Sequence, residues 1–149
     1  MVIPLRKQAT DERDSAAPLR YGATWSSEGT SIAYTRQAVR TLLVHAGHPS
    51  DDQTGQDAQI VVSELVTNAL RHAPGPGRLL LELDSESGLL RITVRDCSAR
   101  PPRLLVPDPS RIGGHGMHLI TRLCERFHTV RLDDGKEVIA ELSLRGNTF

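Results

Sequence analysis

The sequence predicts an α+β fold: a two-layer α/β sandwich with a mixed, mostly antiparallel sheet and helices on one face. Three observations predict it. Two amphipathic helical segments come first. The hydrophobic period then shortens from helical to alternating near residue 78. Two hairpin patterns finally flank a short third helix, giving the order helix, helix, hairpin, long loop, helix, hairpin.

Each element has its own reason. Residues 1–19 carry Arg6, Lys7, Asp11, Glu12, Arg13 and Asp14, with no long apolar stretch after Leu5. They read as a flexible tail and not as a signal peptide. Residues 21–25 form a short candidate strand. Ser26, Ser27 and Thr30 offer caps for a helix reaching residue 44, with Ile32, Ala33, Val39, Leu42 and Leu43 at helical spacing. Residues 46–55 hold Gly, Pro, Ser and Asp and read as a loop. A second helix spans residues 56–71, where Ala58, Val61, Val62, Leu65, Val66, Ala69 and Leu70 make one apolar stripe. Pro74-Gly75-Pro76-Gly77 ends it.

Residues 78–84 place Leu79, Leu81 and Leu83 on one strand face. Residues 89–96 alternate Leu90, Ile92 and Val94 against Arg91, Thr93 and Arg95, completing a hairpin. Residues 98–114 are proline-rich, without regular pattern, and loops of that length are usually functional or disordered. Residues 117–126 form a short helix. Residues 128–132 and 137–144 are strands around Asp133-Asp134-Gly135, a good hairpin turn. The folded part is thus residues 20–145, with 146–149 as a C-terminal tail.

Composition narrows the function. The 18 basic and 18 acidic residues cancel, which argues against a general nucleic-acid binder. No aromatic residue lies between Thr35 and Arg126, so that stretch offers no stacking platform for single strands. Lys7 and Lys136 are the only lysines, and neither sits in a P-loop motif. Cys97 and Cys124 stand far apart, which fits neither a disulfide scaffold nor a zinc site and suits a reducing compartment. No apolar run approaches a membrane span. The expectation is a cytoplasmic protein that does not engage a membrane.

The residues that carry chemistry lie in three places. Glu64 and Asn68 are four apart, so they project about 40° apart on the second helix. They fall beside its apolar stripe, where side chains can look into a cleft. The amide oxygen of Asn68 suits a magnesium shell, and Glu64 could take a proton from an attacking hydroxyl. Spacing alone fits a solvated helix shoulder better than a site. Asp96 ends a strand at the edge of the long loop, where it could accept from the exocyclic amine of adenine or simply initiate a turn. Gly113-Gly114-His115-Gly116 runs into the third helix and could cradle phosphate, or act as a plain hinge. His115 and His118 lack a third ligand for a structural zinc. A G-x-S-x-G nucleophile elbow is absent.

In their order these elements gain force. Ser63-Glu64-Leu65-Val66-Thr67-Asn68-Ala69-Leu70-Arg71-His72-Ala73 resembles the N-box of the GHKL (Bergerat-fold) ATP-binding family. Val94-Arg95-Asp96-Cys97-Ser98 is similar to its adenine-binding strand end, and Gly113-Gly114-His115-Gly116-Met117 to its second glycine box. The resemblance covers residues 20–145 and is nearest to the small stand-alone anti-sigma-factor serine kinases of bacteria. It implies a sandwich holding ATP and Mg2+ between the helices and a lid at residues 99–113. It implies Glu64 as catalytic base and Asn68 as magnesium ligand. ATP contacts would come from Asn68, His72, Asp96, Ser98, Gly114, His115, Gly116 and Met117. The partners it implies are an antagonist protein, phosphorylated on serine, and a sigma factor, with a homodimer as the assembly.

Three departures from the family pattern stand out. Ser98 replaces a usual glycine. The run Gly135-Lys136-Glu137-Val138 puts Glu137 where a threonine usually helps to hold adenine through a water. The lid carries Pro101, Pro102, Pro107 and Pro109. With no central aromatics, aliphatic side chains such as Leu104, Ile112 and Ile139 would cover the base. The alternative is a non-catalytic, nucleotide-dependent switch that docks a partner. A sensor histidine kinase needs a preceding phospho-acceptor domain, for which the segment before Tyr21 is too short.

Overall fold

The computed structural model describes residues 2–4, 18–98 and 116–145. Its elements are β1 (Val2–Pro4), β2 (Leu19–Trp25), α1 (Ile32–His45), α2 (Gln53–His72), β3 (Gly77–Asp84), β4 (Leu89–Asp96), α3 (Gly116–Leu123), β5 (Arg126–Leu132) and β6 (Gly135–Ser143). The strands form one sheet in the order β1-β2-β3-β4-β6-β5. Every pairing in it is antiparallel.

Strand alternation decides what faces the helices. Leu79, Leu81 and Leu83 of β3 are buried, as are Leu90, Ile92 and Val94 of β4 and Val138, Ala140 and Leu142 of β6. They meet Val39, Leu42 and Leu43 of α1, the stripe from Ala58 to Ala69 of α2, and Ile120 of α3. Burying one such leucine contributes about 1.5–3 kcal/mol, and this shared core holds the two layers together. The other sheet face carries the cross-strand ion pairs Arg20–Glu82 (3.3 Å) and Arg91–Glu141 (3.5 Å), and Arg95 of β4 reaches Asp134 of the β5–β6 turn at 2.9 Å. Pairs with one solvated partner contribute little each.

Some local expectations shift. Val2–Pro4, expected within a tail, pairs with Tyr21–Ala23 as an edge strand. Helix α1 is capped by Ser31, whose Oγ accepts from the Tyr34 N–H at 3.4 Å, and not by Ser26, Ser27 or Thr30. Helix α2 begins three residues before the expected residue 56. Asp52 Oδ1 caps it by accepting from the Gly55 N–H at 2.8 Å. Gly55 is helical, not a loop residue, because the preceding segment packs onto its Cα. A Cβ there would lie 2.6 Å from the Ser50 carbonyl oxygen.

Candidate nucleotide site

Helix α2 presents Glu64 and Asn68 from a defined flank. Gln59 Oε1 accepts from Arg40 of α1 at 2.9 Å, which marks the side of α2 that α1 covers. At about 100° per residue, Asn68 points about 180° away from Gln59, and Glu64 about 140°. Both are half-buried. Neither side chain makes a hydrogen bond to another described residue. His72, the last residue of α2, is exposed on the same side. Helix α3 packs against α2 and β5. In its first turn, the Nε2 atom of His118 is buried with no hydrogen-bond partner among the described residues. Gly116 and Met117 belong to α3, while Gly114 and His115 lie outside the described residues. Also outside them are residues 99–113, and with them Leu104, Ile112 and the lid prolines.

The strand end is built differently from expectation. Asp96 shares the core face of β4 with Leu90, Ile92 and Val94 and is 5% exposed. Its direct cross-strand partner is Lys136, the second residue of β6, which is 3% exposed. Lys136 Nζ donates to Asp96 Oδ1 at 3.0 Å and lies 2.8 Å from Oδ2. The Ser98 N–H donates to Oδ1 at 2.9 Å, and the Ser98 carbonyl accepts from Nζ at 3.4 Å. Asp96 and Ser98 therefore stand together around an ammonium group. Gly135 makes the approach feasible, since a Cβ there would collide with the Asp96 carbonyl oxygen.

Glu137 is not at this site. Strand alternation turns it to the open sheet face, opposite Arg95. There it lines a shallow cavity of about 150 Å³ with Arg78, Thr93, Arg95 and Ile139. Ile139 on that face cannot cover a base held near Asp96. The residue that sequence reasoning missed is Lys136. Its signal was present, because Val138, Ala140 and Leu142 alternate inward and the same period places Lys136 inward.

The two ends of the site differ in how they suit a bound nucleotide. The amide of Asn68, half-buried and unbonded among the described residues, fits a magnesium–phosphate group, which needs only a few protein oxygens. The base end fits less well, because the Asp96 carboxylate is already engaged by two donors. Among the described residues no cluster of three His, Cys, Asp or Glu side chains could hold a metal alone. No described helix is long and apolar enough to cross a membrane.

The two cysteines give a chemical probe of the strand end. Burial pushes the Cys124 thiol up to about 12, while Cys97, between Asp96 and Ser98, is exposed. The thiolate is the reactive form. Brief iodoacetamide treatment at pH 8 should alkylate Cys97 and spare Cys124 until denaturant is added, as read by peptide mass spectrometry. Equal labelling of both in the native protein would contradict this burial.

Comparisons with known proteins agree with the fold. The family model described as histidine kinase-like ATPase domain matches residues 25–142. The crystal structure of the RsbU and RsbW domains of Rv1364c from Mycobacterium tuberculosis superposes with a TM-score of 0.60 at 17% identity. That match covers 85% of this chain and 33% of the other, so the chain spans about a third of that structure. The histidine kinase domain from the Erythrobacter litoralis EL346 blue-light activated histidine kinase gives a TM-score of 0.46 at 23% identity, covering 93% and 67% of the two chains. No curated protein matches the chain.

Proposed function

Because the chain belongs to the histidine kinase-like ATPase domain family, we propose that it is an ATP-binding regulatory protein that transfers phosphate to a serine of an antagonist protein. The observation that carries this reading is the flank of α2 turned away from α1, where Asn68 and Glu64 stand one helical turn apart, half-buried and without partners among the described residues. Asn68 would hold Mg2+, which supplies charge neutralisation to the phosphates when bound. Glu64, about 6 Å nearer the helix start, would accept the proton of the attacking hydroxyl. His72 and the start of α3, with Gly114, His115, Gly116 and Met117, would border the phosphates. The resemblance of the Ser63–Ala73 string to the N-box of the anti-sigma-factor serine kinases extends this reading to anti-sigma regulation, with an antagonist and a sigma factor as partners and a homodimer as assembly.

The test is transfer itself. Labelled ATP and magnesium are incubated with the protein and with proteins captured on it from its host. Phosphoserine on one captured protein is the expected product. Glu64→Gln should lower transfer by at least about 100-fold while nucleotide stays bound, the size expected for a lost general base. Full transfer by the variant would remove Glu64 from the mechanism.

A second reading is a non-catalytic switch that docks a partner according to nucleotide state. The Lys136–Asp96 pair favours it, since an engaged carboxylate weakens base binding. Magnesium-dependent binding without phosphate transfer would decide for the switch.

A further inference from the structure

We propose that Lys136 occupies the amine-binding position of Asp96 and thereby sets nucleotide affinity and base selectivity. An amino-bearing base such as adenine is read only when the ammonium gives up the carboxylate. This rests on the nucleotide-site reading above.

The geometry makes the ammonium a stand-in for a base amine. An N–H donor bound to a carboxylate sits at about 2.7–3.2 Å, and Nζ lies at 2.8 and 3.0 Å from the two oxygens. It therefore stands where an exocyclic amine would have to stand. A carboxylate offers about four lone-pair sites. The Ser98 N–H and the bridging Nζ draw on both oxygens. Both side chains are buried, so displacement cannot be cushioned by ready solvation of either group.

The same geometry shows what can move. Gly135 and the register of β6 fix the Lys136 backbone against Asp96. The four-carbon lysine stem is flexible, so its head can swing while the strands stay paired. A binding-competent state populated only in part raises the apparent Kd by the inverse of its population. Lys136 acts through this population. It tunes affinity for adenine without itself being a phosphate contact.

The experiment is calorimetric titration of the full chain with magnesium-ATP and with magnesium-ITP, whose hypoxanthine lacks the exocyclic amine. Wild type is compared with Lys136→Thr, and folding is checked by circular dichroism. Lys136→Thr should bind ATP at least about tenfold tighter, a difference of about 1.4 kcal/mol, with no matching gain for ITP. Lys136→Gln, which keeps length and a donor but not the charge, should shift ATP affinity in the same direction by less, and it serves where the threonine variant is unstable. Unchanged or weaker ATP binding by both variants, or an equal gain for ITP, would overturn the proposal while wild-type ATP binding leaves the nucleotide site standing. Absence of nucleotide binding in wild type and variants alike overturns both.

Discussion

Asp96→Ala should destabilise the nucleotide-free protein by about 3–5 kcal/mol, the usual cost of removing one partner of a buried ion pair. The reason is the ammonium left behind. Lys136 is 3% exposed, and its remaining partner among the described residues is the Ser98 carbonyl at 3.4 Å. The Ser98 N–H would lose its acceptor as well. Removing both charges in Asp96→Ala/Lys136→Met should restore most of the stability, because a buried pair replaced by apolar groups is often near neutral. Urea unfolding at constant slope would give both numbers. A loss below about 1 kcal/mol for Asp96→Ala would match a solvated surface pair instead and would contradict the buried geometry.

Asn68→Ala should abolish magnesium-dependent nucleotide binding, with an affinity loss of at least about 100-fold, or about 2.7 kcal/mol. Its effect on stability should stay within about 0.5 kcal/mol, as for side chains without a buried network. The contrast follows from position. Asn68 is half-buried on the flank of α2 opposite its contact with α1, and it bonds to no other described residue. Nothing described in the fold depends on its amide, and alanine favours a helix more than asparagine does. Titration with magnesium-ATP, repeated in EDTA, reads the binding. A thermal melt without nucleotide reads the stability. If affinity is retained, the magnesium ligand lies elsewhere; if the melt collapses, Asn68 is a structural residue.

Much of the fold was legible because burial imposes period. The alternation of Leu79, Leu81 and Leu83 and the stripe from Ala58 to Ala69 each name a buried face, and those faces meet in one core. The start of α2 was not legible. Gly55 reads as a loop residue until Ser50 is seen against its Cα, a contact set by the path of the preceding turn. The tail was misjudged in part for a similar reason, since Val2–Pro4 gains its strand conformation only by pairing with β2.

The candidate site divides along the same line. Glu64 and Asn68 lie within one helix, so their common flank follows from helical geometry and needs no tertiary knowledge. Asp96 and Lys136 are 40 residues apart, and their meeting depends on the register between β4 and β6. A one-residue error in that register puts Glu137 at the site and turns Lys136 outward. The sequence by itself determined the two layers, the apolar faces and the carboxylate–amide pair on α2, because each is a local periodic pattern. Only the tertiary structure decided which side chain faces Asp96, because cross-strand neighbours are chosen by backbone pairing over long separation. That pairing brought a buried ammonium to the carboxylate expected to read the base.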